Sequence, residues 1–237
     1  MADIEVIEVE SKSDLNKFIN YPNKLYKDDS NYVAPLNVER KEFFDHKKNP
    51  FFKFARVKLF LAQKNGETCG RIATCVNYQH NEYHDEQMGA FGFFDCPDDF
   101  EVASTLLKVA MITLKREGME IMKGPLNFST NHECGFLVEG FDSPPVVMMT
   151  YNQPYIPALA EKVLVPGGIT MSIAKDLFQK VFPGQEATLT IVIENTNKEY
   201  EMKTVEVEVD ISPGLPSFTN VATQHTLRLG QVKHLLT

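Results

Sequence analysis

Apolar and charged positions alternate from Ile4 to Glu10, which predicts a strand with one buried face. Ser11-Lys12-Ser13-Asp14 then offers an N-cap to a helix carrying Leu15, Phe18 and Ile19 on one side. Tyr21-Pro22 predicts the end of that helix, or a bend in it. The polar, proline-marked stretch from Asp28 to Pro35 reads as a loop, Val38 to Asp45 as a short helix, and Asn49-Pro50 as a stop.

From Ala55 the period changes to two. Arg56 to Ala62 predicts a strand, Lys64-Asn65-Gly66-Glu67 a hairpin turn, and Cys69 to Val76 the partner strand. The His-rich segment from Asn77 to Gln87 is polar throughout and reads as a loop, and Met88 to Phe94 follows as an apolar run of strand length. Asp98-Asp99 opens the clearest helix, with Phe100, Ala103, Leu106, Leu107, Ala110, Met111 and Leu114 at three- and four-residue spacing and Gly118 behind Lys115-Arg116 as its stop. Met119 to Met122 predicts a further strand ended by Gly124-Pro125, and Tyr155 to Lys162 a last short helix. Strand, helices, three antiparallel strands, helix and strand make an α+β order.

After Lys162 the texture differs. Thr170 to Ile173, Ala187 to Glu194, Lys203 to Ile211 and Thr226 to Leu229 are Thr/Val/Ile-rich runs separated by Pro183-Gly184, Asn195-Thr196-Asn197 and Ser212-Pro213-Gly214. Such spacing suggests a small β-sandwich. The division expected is therefore 1–162, a junction at 163–169, and an all-β part at 170–237.

Composition narrows the function classes. A formal charge of −8 excludes a general nucleic-acid or anionic-membrane partner, since both need a basic footprint. No signal peptide is expected, since Met1 leads directly into the alternating stretch Ile4 to Val9, and no run reaches ~18 apolar residues. With Cys69, Cys75, Cys96 and Cys134 forming no CxxC pair, the expectation is a cytoplasmic protein with free thiols and a small-molecule ligand. Nothing in the sequence sets an oligomeric state.

The order from Ala55 to Met122 resembles the core of the GNAT acyltransferase superfamily. Residues 18–162 resemble an uncharacterised prokaryotic branch of it. The matching stretches include Leu25-Tyr26-Lys27-Asp28-Asp29, Lys48-Asn49-Pro50-Phe51-Phe52, Gly70-Arg71-Ile72-Ala73, Gly124-Pro125-Leu126-Asn127 and Glu133-Cys134-Gly135. The fold class implied is a mixed GNAT-like sheet with flanking helices, lacking its last strands, followed by a partial sandwich. Phe182 to Thr196 and Val207 to Leu215 resemble an Ig-like β-sandwich repeat of exported prokaryotic proteins, of which about four strands fit against the usual seven.

The GNAT resemblance implies acetyl-CoA or another acyl-CoA as donor, its pantetheine on the backbone between two splayed strands and its pyrophosphate at the next helix N-terminus. Backbone near Phe93, Phe94, Asp95 and Cys96 would hold it. The superfamily marks this loop with a glycine-rich, basic pattern, whereas Phe94 to Phe100 carries three carboxylates and neither glycine nor a basic residue. Two of those carboxylates are expected to cap the helix, where a pyrophosphate would meet like charge at a cost of several kcal/mol. The superfamily's acid tyrosine falls at Ala160, leaving Tyr155 or Tyr151 as substitutes.

The best site candidate is the polar cluster after Met122. His132 or Glu133 can act as general base for an amine, with Asn127, Asn131 and Cys134 lining the pocket and Gly140 to Pro145 as a rigid turn walling it. The bland alternative is a loop held by its own side-chain hydrogen bonds. His80 and His84 have the spacing of a zinc helix, but Glu82 adjoins neither, so no metal is expected. Two functions follow: an atypical acyl-CoA-dependent N-acyltransferase acting on a small amine, or a non-catalytic ligand-binding module, with a fusion of two unrelated domains included. The acidic Asp95 to Asp99 loop favours the second.

Overall fold

The computed structural model describes residues 3–164, 169–173, 191–195, 222–223 and 225–228. Strand β1 (Ile4–Glu8) pairs antiparallel with β2 (Ala55–Lys64). Between them, Ser11 caps α1 (Lys12–Leu25) by accepting from the Asp14 N–H at 3.0 Å. Of the two expectations at Tyr21-Pro22, an end or a bend, the end is not what is found: helix α1 runs through Pro22 to Leu25. Proline has no N–H to offer the carbonyl of Phe18, four residues back. That carbonyl instead accepts from Arg71 Nη1 at 2.8 Å, so the helix continues with its missing hydrogen bond supplied from the sheet.

Helix α2 (Asn37–Phe43) and a single 3₁₀ turn (Pro50–Lys53) follow, the latter capped by the Asn49 side chain on the Phe51 N–H. The β2 hairpin turns at Asn65 and Gly66, both with positive φ (53° and 78°), into β3 (Glu67–Asn77). The His-rich stretch expected as a loop contains helix α3 (Tyr78–His84), capped by Asn77 Oδ1 on the His80 N–H and closed by Asp85 at φ 51°. No residue of α3 is buried, so it carries no apolar stripe for sequence periodicity to detect. His80 and His84 lie ring against ring, and His80 pairs with Glu86 at 2.6 Å. Among the described residues no cluster of three or more metal-ligating side chains occurs.

Strand β4 (Met88–Asp95), helix α4 (Phe100–Arg116) and strand β5 (Ile121–Gly124) form a crossover unit: β4 pairs antiparallel with β3 and parallel with β5. After β5 come the two-residue β6 (Phe136–Leu137), helix α5 (Tyr155–Leu164), β7 (Ile169–Ile173), β8 (Ile191–Asn195), β9 (Ala222–Thr223) and β10 (His225–Arg228). The main sheet has the order β1-β2-β3-β4-β5-β10, all antiparallel except β4 with β5. This is a mixed α+β fold with flanking helices.

Two clusters of buried side chains divide between the faces of that sheet. Ile72, Phe91 and Phe94 pack with α4 and α5, while Leu61, Ala73 and Phe93 pack with Phe18 of α1 and with Phe44 and Phe51. Leu106, Leu107 and Leu114 are fully buried on α4, and truncating any of them would cost about 2–5 kcal/mol.

The chain divides into two compact units: Met1–Leu164 with Thr219–Thr237, and Val165–Phe218. In the second unit β7 and β8 pair antiparallel, Ile169 opposite Asn195 and Ile173 opposite Ile191. Strand β10 lies with the first unit, antiparallel to β5, whereas the sequence set all of 170–237 apart. The expected strand at 203–211 and the turns at 183–184 and 212–214 lie outside the described residues, as does most of the stretch resembling an Ig-like repeat. Among the described residues no helix is long and apolar enough to cross a membrane.

Candidate active site

The site begins with an irregularity in β4. Opposite Arg71 and Ala73 of β3 stand Asp95 and Gly92, so β4 carries one residue more than its partner. The extra residue bulges at Phe93, whose φ is +47°. Without the bulge Phe91 and Phe93 would share a face; with it they enter opposite clusters. The bulge also brings Asp95 to Arg71. The two are 6% and 9% exposed, joined Nε to Oδ2 at 2.7 Å, and Tyr26 donates its hydroxyl to Asp95 Oδ1 at 2.6 Å. Burial and the neighbouring carboxylate push the Tyr26 phenol well above its ordinary range. Asp95 is therefore a buried, paired carboxylate rather than a charge at the α4 pole.

That pole belongs to Asp99, whose Oδ1 accepts from the N–H groups of Glu101 and Val102 at 2.9 and 3.3 Å. Between β4 and β5 the ladder ends at Ala90 and Lys123. Beyond it, the Phe93 N–H donates to Asn127 Oδ1 at 2.8 Å, and the Leu126 N–H to the Phe91 carbonyl at 2.7 Å. The backbone expected to receive a pantetheine is thus already paired, and the helix terminus expected to receive a pyrophosphate is capped by a carboxylate. These residues do not fit a coenzyme A held in that manner.

Asn127 belongs to a closed loop, 125–135, that follows the cis bond at Gly124-Pro125. The loop is drawn together by Asn127 N–H to the Glu133 carbonyl at 2.9 Å and Gly135 N–H to the Pro125 carbonyl at 2.8 Å. The Asn127 amide also donates to Glu133 Oε2 at 3.3 Å, and Arg40 Nη2 of α2 donates to Glu133 Oε1. Burial pulls the Glu133 carboxyl up, but the guanidinium and the amide outweigh it and leave it below the ordinary glutamate range. His132 shifts down, chiefly because burial penalises its charged form; its Nδ1 is 2.9 Å from Ser129 Oγ, and its ring abuts Phe43.

Two hollows of about 590 Å³ each meet at this point. The first holds Tyr26, Tyr32, Arg71, Phe93, Phe94, Asp95, Asn127 and the loop from Pro145 to Asn152. The second holds Val38, Phe43, Pro50 and His132. Arg40 and Glu133 line both. Their mouths carry an apolar rim of exposed side chains: Val33, Leu36, Val38, Val146, Val147 and Met148. The two rim loops are tied by Asp29, which accepts from Tyr151 Oη and from Gln153 Nε2, and by Asn31, which donates to the Phe141 carbonyl.

The predicted residues therefore fall into two groups. Glu133, Asn127, Phe93, Phe94 and Asp95 line the first hollow and His132 the second. Pro145, from the turn expected to wall the pocket, lines the first. Tyr155, Cys96, Asn131 and Cys134 line neither. Tyr155 donates to the Cys96 carbonyl at 3.0 Å, and burial pushes its phenol up to about 12. Cys96 is fully buried and its thiol is pushed far up, mainly by that burial. Asn131 is exposed, and Cys134 packs toward the Phe18 cluster. Sequence reasoning missed Arg40 and Arg71. For Arg71 a signal existed, a charge within the predicted strand Cys69 to Val76; for Arg40 there was none.

No protein-family model matches the chain. The chain is 36% identical over 161 residues to Protein YghO of Escherichia coli K12, covering 68% of this chain and 41% of that one. It is 37% identical over 155 residues to a bacterial ceramide synthase of Caulobacter vibrioides, covering 65% and 40%. It thus spans about two-fifths of the length of these curated relatives. Among solved structures it is similar to a tandem GNAT protein of the clavulanic acid biosynthesis pathway (TM-score 0.48, 8% identity, 68% of this chain and 43% of that one). It is also similar to FeeM, an N-acyl amino acid synthase from uncultured soil microbes (TM-score 0.37, 8% identity, 52% and 71%).

Proposed function

We propose that this chain carries the transfer site of a GNAT-like N-acyltransferase that joins an activated acyl group to the amine of a small molecule. The observation that carries the reading is that two hollows of similar size share a wall that contains Glu133, a half-buried carboxylate held ionised by Arg40, along with the more exposed Glu39. A two-substrate transfer needs such a meeting point, with one partner in each hollow and a proton acceptor between them. In this reading the amine nitrogen forms the amide bond to the acyl carbon, the donor's leaving group departs, and Glu133 takes the proton that the nitrogen loses. The relationship to a bacterial ceramide synthase supports an amine acceptor bearing a hydrocarbon chain, and the exposed apolar rim suits one.

The paired backbone at Phe93 and the capped α4 terminus leave the donor's carrier open, so an acyl thioester is the class proposed. The experiment is to incubate the protein with acyl thioesters of graded chain length and a panel of primary amines, and to look for amide by mass spectrometry. Amide formed by the wild type, and reduced roughly 10²–10⁴-fold in Glu133→Gln, supports the reading. Ligand binding with no amide from any pair would favour a non-catalytic module instead.

A further inference from the structure

Glu133 presents two unequal oxygens. Oε1 is taken by the Arg40 guanidinium, while Oε2 has the Asn127 amide at the longer distance of 3.3 Å. A carboxylate oxygen accepts two hydrogen bonds, so Oε2, the oxygen without the guanidinium, is the weaker-held acceptor of a residue that lines both hollows. Arg40 is itself fixed from several sides. Its Nε lies 3.3 Å from Glu39 Oε2, and its guanidinium sits 5.7 and 5.9 Å from the ring centres of Phe43 and Phe93. Helix α2 buries no side chain, so this ion pair is a principal polar tie between the helix and the loop that bears Glu133.

We propose that Arg40 is the positioning residue of the site, clamping one oxygen of Glu133 so that the other faces the reacting amine at the junction of the two hollows. The proposal rests on the reading of Glu133 as proton acceptor. The charged groups around Glu133 are Arg40 and Glu39 from α2, His132 beside it on the loop, and the Arg71–Asp95 pair lining the first hollow. Asp95 already neutralises Arg71, and Glu39 contacts the far side of the Arg40 guanidinium. Arg40 is thus the cation in direct contact with Glu133, and removing it leaves hydrogen bonds such as that of the Asn127 amide as what opposes burial at the carboxyl.

The test compares wild type, Arg40→Gln and Arg40→Lys by two readouts. The first is a ¹³C carboxyl titration of Glu133 by NMR, its signal assigned with Glu133→Gln. The second is the pH profile of kcat/KM for amide formation. In Arg40→Gln the Glu133 titration moves to higher pH, because loss of the cation disfavours the ionised form, and the acid limb of kcat/KM moves with it. Arg40→Lys, which keeps a positive charge, recovers part of both shifts. An unchanged Glu133 titration in Arg40→Gln overturns the clamp. A shifted titration in a protein that forms no amide upholds the clamp and overturns the transferase reading instead.

Discussion

Replacing Arg71 by Met tests how the proline-bearing helix and the cleft floor are joined. Arg71 serves two buried acceptors at once, Asp95 Oδ2 at 2.7 Å and the Phe18 carbonyl that Pro22 leaves without an N–H partner, at 2.8 Å. Breaking a buried ion pair by removing one partner costs about 3–5 kcal/mol. An unsatisfied buried carbonyl adds about 1–3 kcal/mol. The second contribution can be isolated, because Pro22→Ala restores an N–H four residues after Phe18 and can pair that carbonyl within the helix. Urea unfolding of the four proteins in a double-mutant cycle then reads the coupling. The Arg71→Met loss should be smaller by about 1–3 kcal/mol in the Pro22→Ala background. If Arg71→Met proves too unstable to measure, Asp95→Asn reports the ion-pair part, and Arg71→Lys takes its place in the cycle. Equal losses in both backgrounds would refute the claim that Arg71 stands in for the missing N–H.

Three further outcomes are expected. Glu133 is held below the ordinary glutamate range, so its contribution to stability is full above that range and disappears as pH falls through its lowered native value. The difference in unfolding free energy between wild type and Glu133→Gln, measured from neutral pH downward, should therefore shrink on acidification. Burial pushes the Cys75 thiol up to about 12 and the Cys96 thiol higher still, so both should react with a thiol reagent only after unfolding, while half-exposed Cys69 and Cys134 react in the native protein. Gly92→Ala places a Cβ 1.9 Å from the Leu126 carbonyl oxygen, a backbone clash that should lower the unfolding midpoint sharply and release the Phe93–Asn127 hydrogen bond.

Local chemistry made much of the fold readable. Helix α4 was visible because Ala103, Leu106, Leu107, Ala110 and Leu114 are the residues it buries, and the β2–β3 hairpin because Asn65-Gly66 supplies two positive φ angles. Helix α3 was invisible because it buries nothing. The end or bend predicted at Pro22 obeyed a sound local rule, but the helix runs on because Arg71, 53 positions beyond Phe18, serves the carbonyl that Pro22 leaves without an N–H. At the site, Asn127 and Glu133 stood out as polar residues just past a strand end. Their neighbours Asn131 and Cys134 shared that signal, but adjacent residues in an irregular loop point in different directions, and neither reaches a hollow. The Asp95–Arg71 pair was not legible because its two members lie on different strands, and Arg40 reaches Glu133 across 93 positions. Such pairings are set by topology and leave no trace in spacing.

The proposed transfer requires two substrates to meet at Glu133 from separate hollows. Steady-state kinetics of amide formation, varying acyl donor and amine independently, test this in Val38→Trp, which adds bulk to the lining of the second hollow, and Thr150→Trp, which adds it to the first. Each variant should raise KM for one substrate and leave the other nearly unchanged, with the affected substrate differing between them. If both raise KM for the same substrate, or neither alters either one, the two hollows are not the two substrate sites.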